Sequence, residues 1–202
     1  MHELATVWTD RNGRIWIGAT ALFYVLVLIP FNDPGIDIFG ISLRPAAFML
    51  VTFGILFGPA GAWGIGIGNI VGDFFGGSWS AMSIFGFLIN VLIPYLSYRI
   101  FHHLMRGQSI RRDFRTFACF LAVSLVVITS CMVLLAACGT LFFDRPFLAK
   151  VTGYVGNNLF WAMVVGPAFF WLVIDAALRN NLVYGHEWAM RDETTGGHFH
   201  PR

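Results

Sequence analysis

The chain has 202 residues, of which 57% are hydrophobic and only 12% are charged, and its formal net charge is +2. Soluble domains carry about 25% charged residues, and a soluble core of this length could not bury so much apolar surface. A lipid bilayer solvates such a surface, so the composition excludes an ordinary soluble protein. The twelve arginines and the single lysine form no dense run, so we expect no nucleic-acid partner.

Charged residues divide the chain into apolar runs that are long enough to cross a membrane. The first run follows the polar residues 1–14 and lacks a small-residue cleavage site, so we expect it to remain in the mature protein. The second run, residues 45–72, exceeds the roughly 20 residues that one upright helix needs. It contains Phe57-Gly58-Pro59-Ala60-Gly61, which is a strong turn signal.

A division at that turn gives the predicted fold class, an all-α integral membrane protein with six transmembrane helices in one bundle. Residues 1–202 are expected to form a single domain. The spans are predicted at about residues 15–32, 44–57, 60–77, 82–99, 116–139 and 154–178.

The arginines predict the orientation of the bundle. Basic clusters precede the first span, separate the fourth from the fifth and follow the sixth, and they contain Arg11 and Arg14, then Arg99, Arg106, Arg111, Arg112 and Arg115, then Arg179 and Arg191. Cytoplasmic loops are enriched in arginine and lysine, and an even number of spans places all three clusters on one side. We therefore predict a multi-pass protein of the bacterial cytoplasmic membrane with both termini inside. Its outer loops are then at about residues 32–43, 77–82 and 144–152.

The third span carries a glycine every four residues, at Gly64, Gly68, Gly72 and Gly76. This spacing places the glycines on one helix face, where small residues allow a second helix to approach closely. The ridge is expected either to pack inside the bundle or to serve as a seam that slides or docks a partner subunit.

Asp73 is an acid close to the outer end of the third span. A charged side chain in a membrane is costly and usually faces the bundle interior or a wet cavity, where it needs a partner. Arg44 opens the second span at the same predicted level, so an Arg44–Asp73 ion pair is expected. The alternative is that one or both residues contact a ligand directly.

Other polar and aromatic residues also cluster toward the predicted outer side. They are expected either to form hydrogen bonds between helices or to line a small-molecule pocket. Two acids of the loop at residues 32–43, which has turn residues typical of a lid, would bind polar edges of a ligand or be solvated. The predicted substrate-binding residues are Asp33, Asp37, Arg44, Asn69, Asp73, Trp79, Ser80, Asn90, Asn157, Asn158 and Trp161.

Nothing in the sequence indicates an enzyme or a cofactor of its own. The three cysteines have no metal-binding spacing, although Cys138, near an outer helix end, could ligate a soft metal such as the cobalt of a bound ligand. Asp73 and Asp175 are the acids close to the spans, and they are predicted at opposite membrane faces, so they cannot form an acid–base pair. ATPase, metalloprotease and nucleophile-elbow motifs are absent from the sequence.

Four segments together resemble a known family. They are Leu43-Arg44-Pro45-Ala46, residues 56–62 (LFGPAGA), residues 68–73 (GNIVGD) and residues 83–87 (SIFGF), the last followed by Asn90. The set is similar to the S components of energy-coupling factor (ECF) vitamin transporters, and the similarity is clear over about residues 40–100.

The resemblance implies a six-helix protein that binds a vitamin from the outer face and works with a transmembrane T component and two ATPases, unless it is a solitary member. The family's T component docks on Ala-x-x-x-Ala of helix one, in place of which this chain offers Gly18, Ala19 and Ala21. Cobalamin is the first expectation for the ligand, although some cobalamin-specific members have a cysteine after helix three, where this chain has Trp79-Ser80-Ala81. Riboflavin, another vitamin and a deazapurine precursor are the alternative ligands. The alternative function is a membrane anchor or sensor that acts with a separate partner protein.

Overall fold

The computed structural model describes residues 2–32, 37–38, 41–105, 108, 110–180 and 182–184, and of residues 32, 37–38 and 41–42 it describes the backbone alone. The helices are α1 (His2–Thr6), α2 (Arg11–Asn32), α3 (Phe48–Phe75), α4 (Met82–Met105), α5 (Phe114–Phe143), α6 (Phe147–Phe160) and α7 (Gly166–Arg179). A 3₁₀ turn, Pro45–Ala47, leads into α3, and a π-helical turn, Trp161–Val165, joins α6 to α7. The all-α prediction is confirmed for these residues, apart from a hairpin of two-residue strands, β1 (Asp37–Ile38) and β2 (Ile41–Ser42).

Helix α3 is broken at Gly58, where φ is 53° and ψ is −127°. Glycine adopts this backbone conformation readily, and the following Pro59 has no N–H with which to continue the helix. A Cβ built on Gly61 would collide with the carbonyl oxygen of Phe53, although these residues would be about 12 Å apart along a straight helix. The chain therefore folds back at Gly58, and its two arms, residues 48–57 and 59–75, lie side by side.

The six-span count is not confirmed. Five helical segments of the described residues are long and apolar enough to span a membrane, and they are Arg11–Phe31, Pro45–Phe75, Met82–Met105, Phe114–Phe143 and Phe147–Arg179. The break at Gly58 lies at the predicted turn, but the first arm is shorter than the roughly 20 residues of a full span. The inward orientation of both termini stays a prediction.

The glycine ridge of α3 packs inside the bundle, against α2. A Cβ on Gly64 would collide with the Thr20 hydroxyl, and a Cβ on Gly68 would lie 2.9 Å from the carbonyl oxygen of Ala21. Close approach of α2 therefore requires glycine at these positions, as the packing interpretation of the ridge predicted.

The two ends of the bundle differ, and we name them by their contents. The break end contains Gly58 and the end of α4, where His102 lies beside Ile55. The cavity end contains residues 76–81 and 144–146, which connect α3 to α4 and α5 to α6. Between the two ends, large apolar side chains such as Leu26, Val126 and Leu172 are exposed on the helices. Soluble proteins rarely expose so much apolar surface, so these side chains indicate contact with lipid.

Candidate substrate-binding site

A cavity of about 310 Å³ opens at the cavity end, among α2 to α6. Most of its polar groups are amides, hydroxyls and charged side chains. The lining residues are Tyr24, Arg44, Ala47, Asn69, Asp73, Ser78, Ser80, Met82, Ser83, Gly86, Asn90, Met132, Leu135, Arg145, Ala149, Lys150, Gly153, Tyr154, Asn157 and Asn158. Ala47 and Asp73 line the same cavity because the break at Gly58 returns the second arm of α3 to the level at which the first arm begins.

A chain of buried amides crosses from α4 to α3 at this cavity. The Nδ2 of Asn90 donates to the Oδ1 of Asn69 (3.1 Å) and to the carbonyl oxygen of Gly86 (2.9 Å). The Nδ2 of Asn69 donates in turn to the Oδ2 of Asp73 (3.4 Å), one helical turn further along α3. These hydrogen bonds fix the orientation of both amides, and the two amides in turn hold the Asp73 carboxylate in position.

The loop after α3 holds the same carboxylate from its other side. The hydroxyl of Ser78 donates to the Oδ1 of Asp73 (3.3 Å), and the backbone N–H of Ser78 donates to the Asp73 carbonyl oxygen (3.0 Å). Gly77 has φ of 69°, which permits this tight return of the chain. Asp73 is only 5% exposed, so hydrogen bonds to both carboxylate oxygens offset part of the cost of its burial.

Helix α6 contributes an amide that is fixed by two neighbours. The Oδ1 of Asn157 accepts from the backbone N–H of Arg44 (3.3 Å) and from the Nε1 of Trp161 (3.1 Å). The Nδ2 of Asn158 donates to the carbonyl oxygen of Tyr154 (2.8 Å). Trp161 therefore positions Asn157 rather than lining the cavity.

Three half-buried cations and one buried acid line the cavity: Arg44, Arg145, Lys150 and Asp73. The expected Arg44–Asp73 ion pair is not formed between the described residues. The carboxylate is hydrogen-bonded by Asn69 and Ser78, whereas the backbone of Arg44 is bound to α6 through Asn157. Tyr24 lines the same cavity as both charged residues.

Seven of the eleven predicted binding residues line this cavity, and they are Arg44, Asn69, Asp73, Ser80, Asn90, Asn157 and Asn158. Trp79 is exposed outside the lining, and Trp161 lies behind Asn157. Asp33 lies outside the described residues, and Asp37 is described by its backbone alone. Whether the lining residues contact a ligand stays a prediction.

The sequence analysis missed several lining residues, among them Tyr24, Arg145, Lys150 and Tyr154. The two cations stand in a predicted outer loop, where positive charge is disfavoured, and that departure was a usable signal. Tyr24 and Tyr154 had no such signal, because aromatic residues are frequent along the whole chain.

Cys138 does not line the cavity, and within the described part of the chain no group of three or more histidine, cysteine or acidic residues is placed to hold a metal. Of the proposed docking residues, Gly18 and Ala19 are exposed on α2, and Ala21 packs on Gly68. Ala19 also lines a second, apolar groove of about 380 Å³ between α2, α3 and α7 toward the break end.

Comparison with known proteins identifies the family. No curated protein and no solved structure matches the chain. Residues 15–175 match the family model described as QueT transporter, which covers both arms of α3 and every helix that lines the cavity. This is a family of transporters rather than enzymes, and the match gives no support to cobalamin as the ligand. The chain therefore belongs to the QueT transporter family, a family of ECF S components that are multi-pass membrane proteins.

Proposed function

We propose that this chain is the substrate-binding S component of an ECF transporter that takes up a deazapurine precursor of queuosine, such as preQ0 or preQ1. The observation that carries the proposal is the polar cavity of about 310 Å³ in a chain of this family. A deazapurine is a flat bicyclic ring with donors and acceptors around its edge, which suits amides, hydroxyls and charged groups that surround a small space.

The size and lining of the cavity argue against the first expectation, cobalamin. A corrin macrocycle with its nucleotide tail is several times larger than a deazapurine, whereas 310 Å³ is at the lower end of the range for ligand pockets. Riboflavin is also larger than a deazapurine, because it has a three-ring system and a sugar-alcohol chain. Neither vitamin is favoured by the family match.

The chain depends on partners for energy. S components work with a T component and ATPases, and the absence of ATPase motifs from the sequence agrees with this division of labour. The apolar groove beside Ala19 and the exposed small residues Gly18 and Ala19 are where we place the T component. The protein itself acts without a cofactor and without catalysis.

The cavity end faces outward in this proposal. Both termini and the arginine-rich segment between α4 and α5 then lie in the cytoplasm of a bacterial cell, as the positive-inside rule requires. The loops that connect α3 to α4 and α5 to α6 would meet the incoming ligand.

The test is ligand binding to a variant whose cavity is filled. A Cβ on Gly153 meets no atom within 4 Å, and Gly153 lines the cavity, so Gly153→Phe adds a ring at an open position of the cavity wall. Gly156→Phe is the matched control, because Gly156 is on the same helix, has the same open surroundings and does not line the cavity.

Isothermal titration of the purified protein in lipid nanodiscs would use preQ0, preQ1, riboflavin and cobalamin. We expect wild type and Gly156→Phe to bind a deazapurine, and Gly153→Phe to lose at least 100-fold in affinity. Binding of cobalamin or riboflavin in place of the deazapurines would refute the proposal, as would full binding by Gly153→Phe.

A further inference from the structure

We propose that Asp73 is the residue that selects the ligand by its guanine-type edge, the ring N–H and the adjacent exocyclic amino group. This inference rests on the proposed function and deepens it, because it names the part of the deazapurine that the cavity recognises. Two neighbouring N–H donors of this kind match the two oxygens of a carboxylate in a planar, two-bond contact.

The composition of the cavity makes Asp73 the natural acceptor. It is the one acid among the described residues that line the cavity, whose other charged groups are Arg44, Arg145 and Lys150. Cations only donate hydrogen bonds, so they suit the carbonyl oxygen and the ring nitrogens of the ligand. A pair of ligand donors needs a charged acceptor, and such a bond is stronger than one to a neutral amide.

The carboxylate is also held in place before a ligand arrives. Asn69 binds its Oδ2 and Ser78 binds its Oδ1, and Asn90 fixes Asn69 in turn. At 5% exposure, Asp73 is shielded from bulk water, so hydrogen bonds to it weaken little through competition with solvent. A fixed acceptor discriminates between ligands by leaving a mismatched group unpaired.

The test compares two ligands that differ at this edge, and it measures both with wild type and with an Asp73 variant. 7-Deazaguanine has the ring N–H and the amino group, whereas 7-deazaxanthine has a carbonyl oxygen in place of the amino group. Wild type is expected to bind 7-deazaguanine about 10- to 100-fold more tightly, because the carboxylate would face the carbonyl oxygen of 7-deazaxanthine.

Asp73→Asn replaces one acceptor oxygen by an N–H₂ donor of nearly the same shape. The substitution should weaken the binding of 7-deazaguanine and strengthen the binding of 7-deazaxanthine. The ratio of the first affinity to the second should therefore fall at least tenfold, or be reversed. Asp175→Asn is the control, because Asp175 is a partly exposed acid that pairs with Arg112 (3.1 Å) and does not line the cavity. This control should keep the wild-type ratio.

The outcomes separate the inference from the function on which it rests. If wild type binds neither of these two ligands, and neither preQ0 nor preQ1, both proposals fall. If wild type binds preQ0 or preQ1 but not 7-deazaguanine, the inference alone is overturned. If both ligands bind wild type but Asp73→Asn leaves their ratio unchanged, the inference is overturned and the proposed function stands. Should Asp73→Asn not fold, Ser78→Ala takes its place: release of Oδ1 should lower the ratio about threefold, and an unchanged ratio would overturn the inference.

Discussion

The two ends of the bundle differ in what surrounds their polar groups. At the break end, the interruption at Gly58 leaves carbonyl oxygens without their helical donors, and other elements supply them. The Nε2 of His102 lies 3.4 Å from the Ile55 oxygen, and the backbone N–H of Tyr184 donates to the Leu56 oxygen (2.7 Å). At the cavity end, polar side chains instead surround open space.

The N-terminal segment packs at the break end and forms polar contacts with α3 and α4 there. The Nε1 of Trp63 donates to the carbonyl oxygen of Leu4 (2.8 Å), and Arg99 forms an ion pair with Glu3 (3.2 Å). We infer from this difference that the polar groups of the break end serve the fold, and that those of the cavity end serve the proposed ligand. Substitutions at the break end should therefore change stability and leave affinity intact, and those at the cavity end should do the reverse.

The largest loss of stability is expected at the break itself. Gly58→Ala puts a side chain at a φ of 53° and a Cβ 2.7 Å from the Tyr184 ring, so we expect a loss of about 3 kcal/mol in the free energy of unfolding. Gly156→Ala, with no atom within 4 Å of its new Cβ, is the control and should be neutral or slightly stabilising. Thermal unfolding in one detergent would measure both, and equal midpoints would contradict the argument.

A smaller loss is expected where α3 meets α2. Gly64→Ala directs a methyl group at the Thr20 hydroxyl and brings it 2.8 Å from the Ile17 carbonyl oxygen, which should cost about 2 kcal/mol. Gly18→Ala on the open face of α2 is the matched control. Both are read by the same unfolding measurement, and deazapurine affinity should fall in neither variant. A loss of affinity in Gly64→Ala alone would show that the ridge and the cavity are coupled.

At the cavity end, the comparison predicts the reverse balance. Asn90→Ala removes the donor that orients Asn69 and, through it, Asp73. We expect about a tenfold loss of deazapurine affinity but only about 1 kcal/mol of stability, because Asn90 borders a cavity that water can fill. Titration and thermal unfolding of the same sample would separate the two effects. A large fall in stability with normal affinity would place Asn90 with the structural groups instead.

The smallest expected effect depends on pH and lies outside the spans. The backbone N–H of Thr116 donates to Asp113 at the start of α5 (2.7 Å), and this bond holds the pKa of the Asp113 carboxyl below its usual 3.8. The carboxylate therefore stabilises the fold above its unfolded-state pKa, and the contribution is lost as the pH falls through the lower folded-state pKa.

Unfolding midpoints of wild type and Asp113→Ala should thus differ near neutral pH and converge as the pH falls through the lowered folded-state pKa of Asp113. Asp113→Asn, which caps a helix without a charge, is the control and should show less of this pH dependence. A wild-type advantage that grows as the pH falls would contradict the assignment.

Much of the fold could be predicted from hydropathy and turn chemistry. The Gly58-Pro59 pair marked the break because the conformation at Gly58 and the missing N–H of Pro59 are local properties. The number of full spans could not be derived in the same way. It depends on how the first arm of α3 packs against the second, and the pattern of apolar residues does not record this.

The site was predictable where a polar residue interrupts an apolar helix, as at Asn69, Asp73 and Asn90. Burying such a residue is costly, so it marks the interior or a cavity. The predicted Arg44–Asp73 ion pair was wrong, because two residues at the same depth in the membrane need not point toward each other. The Asp73 carboxylate is hydrogen-bonded by its own helix and the following loop, whereas the backbone of Arg44 is hydrogen-bonded to α6. Tyr154 was missed because lipid-facing and cavity-facing aromatic residues look alike in sequence.

The break at Gly58 also bears on how the nascent chain enters the bilayer. The first arm of α3 is too short and leaves too many carbonyl oxygens unpaired to cross the hydrocarbon core alone. Its neighbour in space, the second arm, is also the next segment to be synthesised. We therefore expect the two arms to insert together as a helical hairpin.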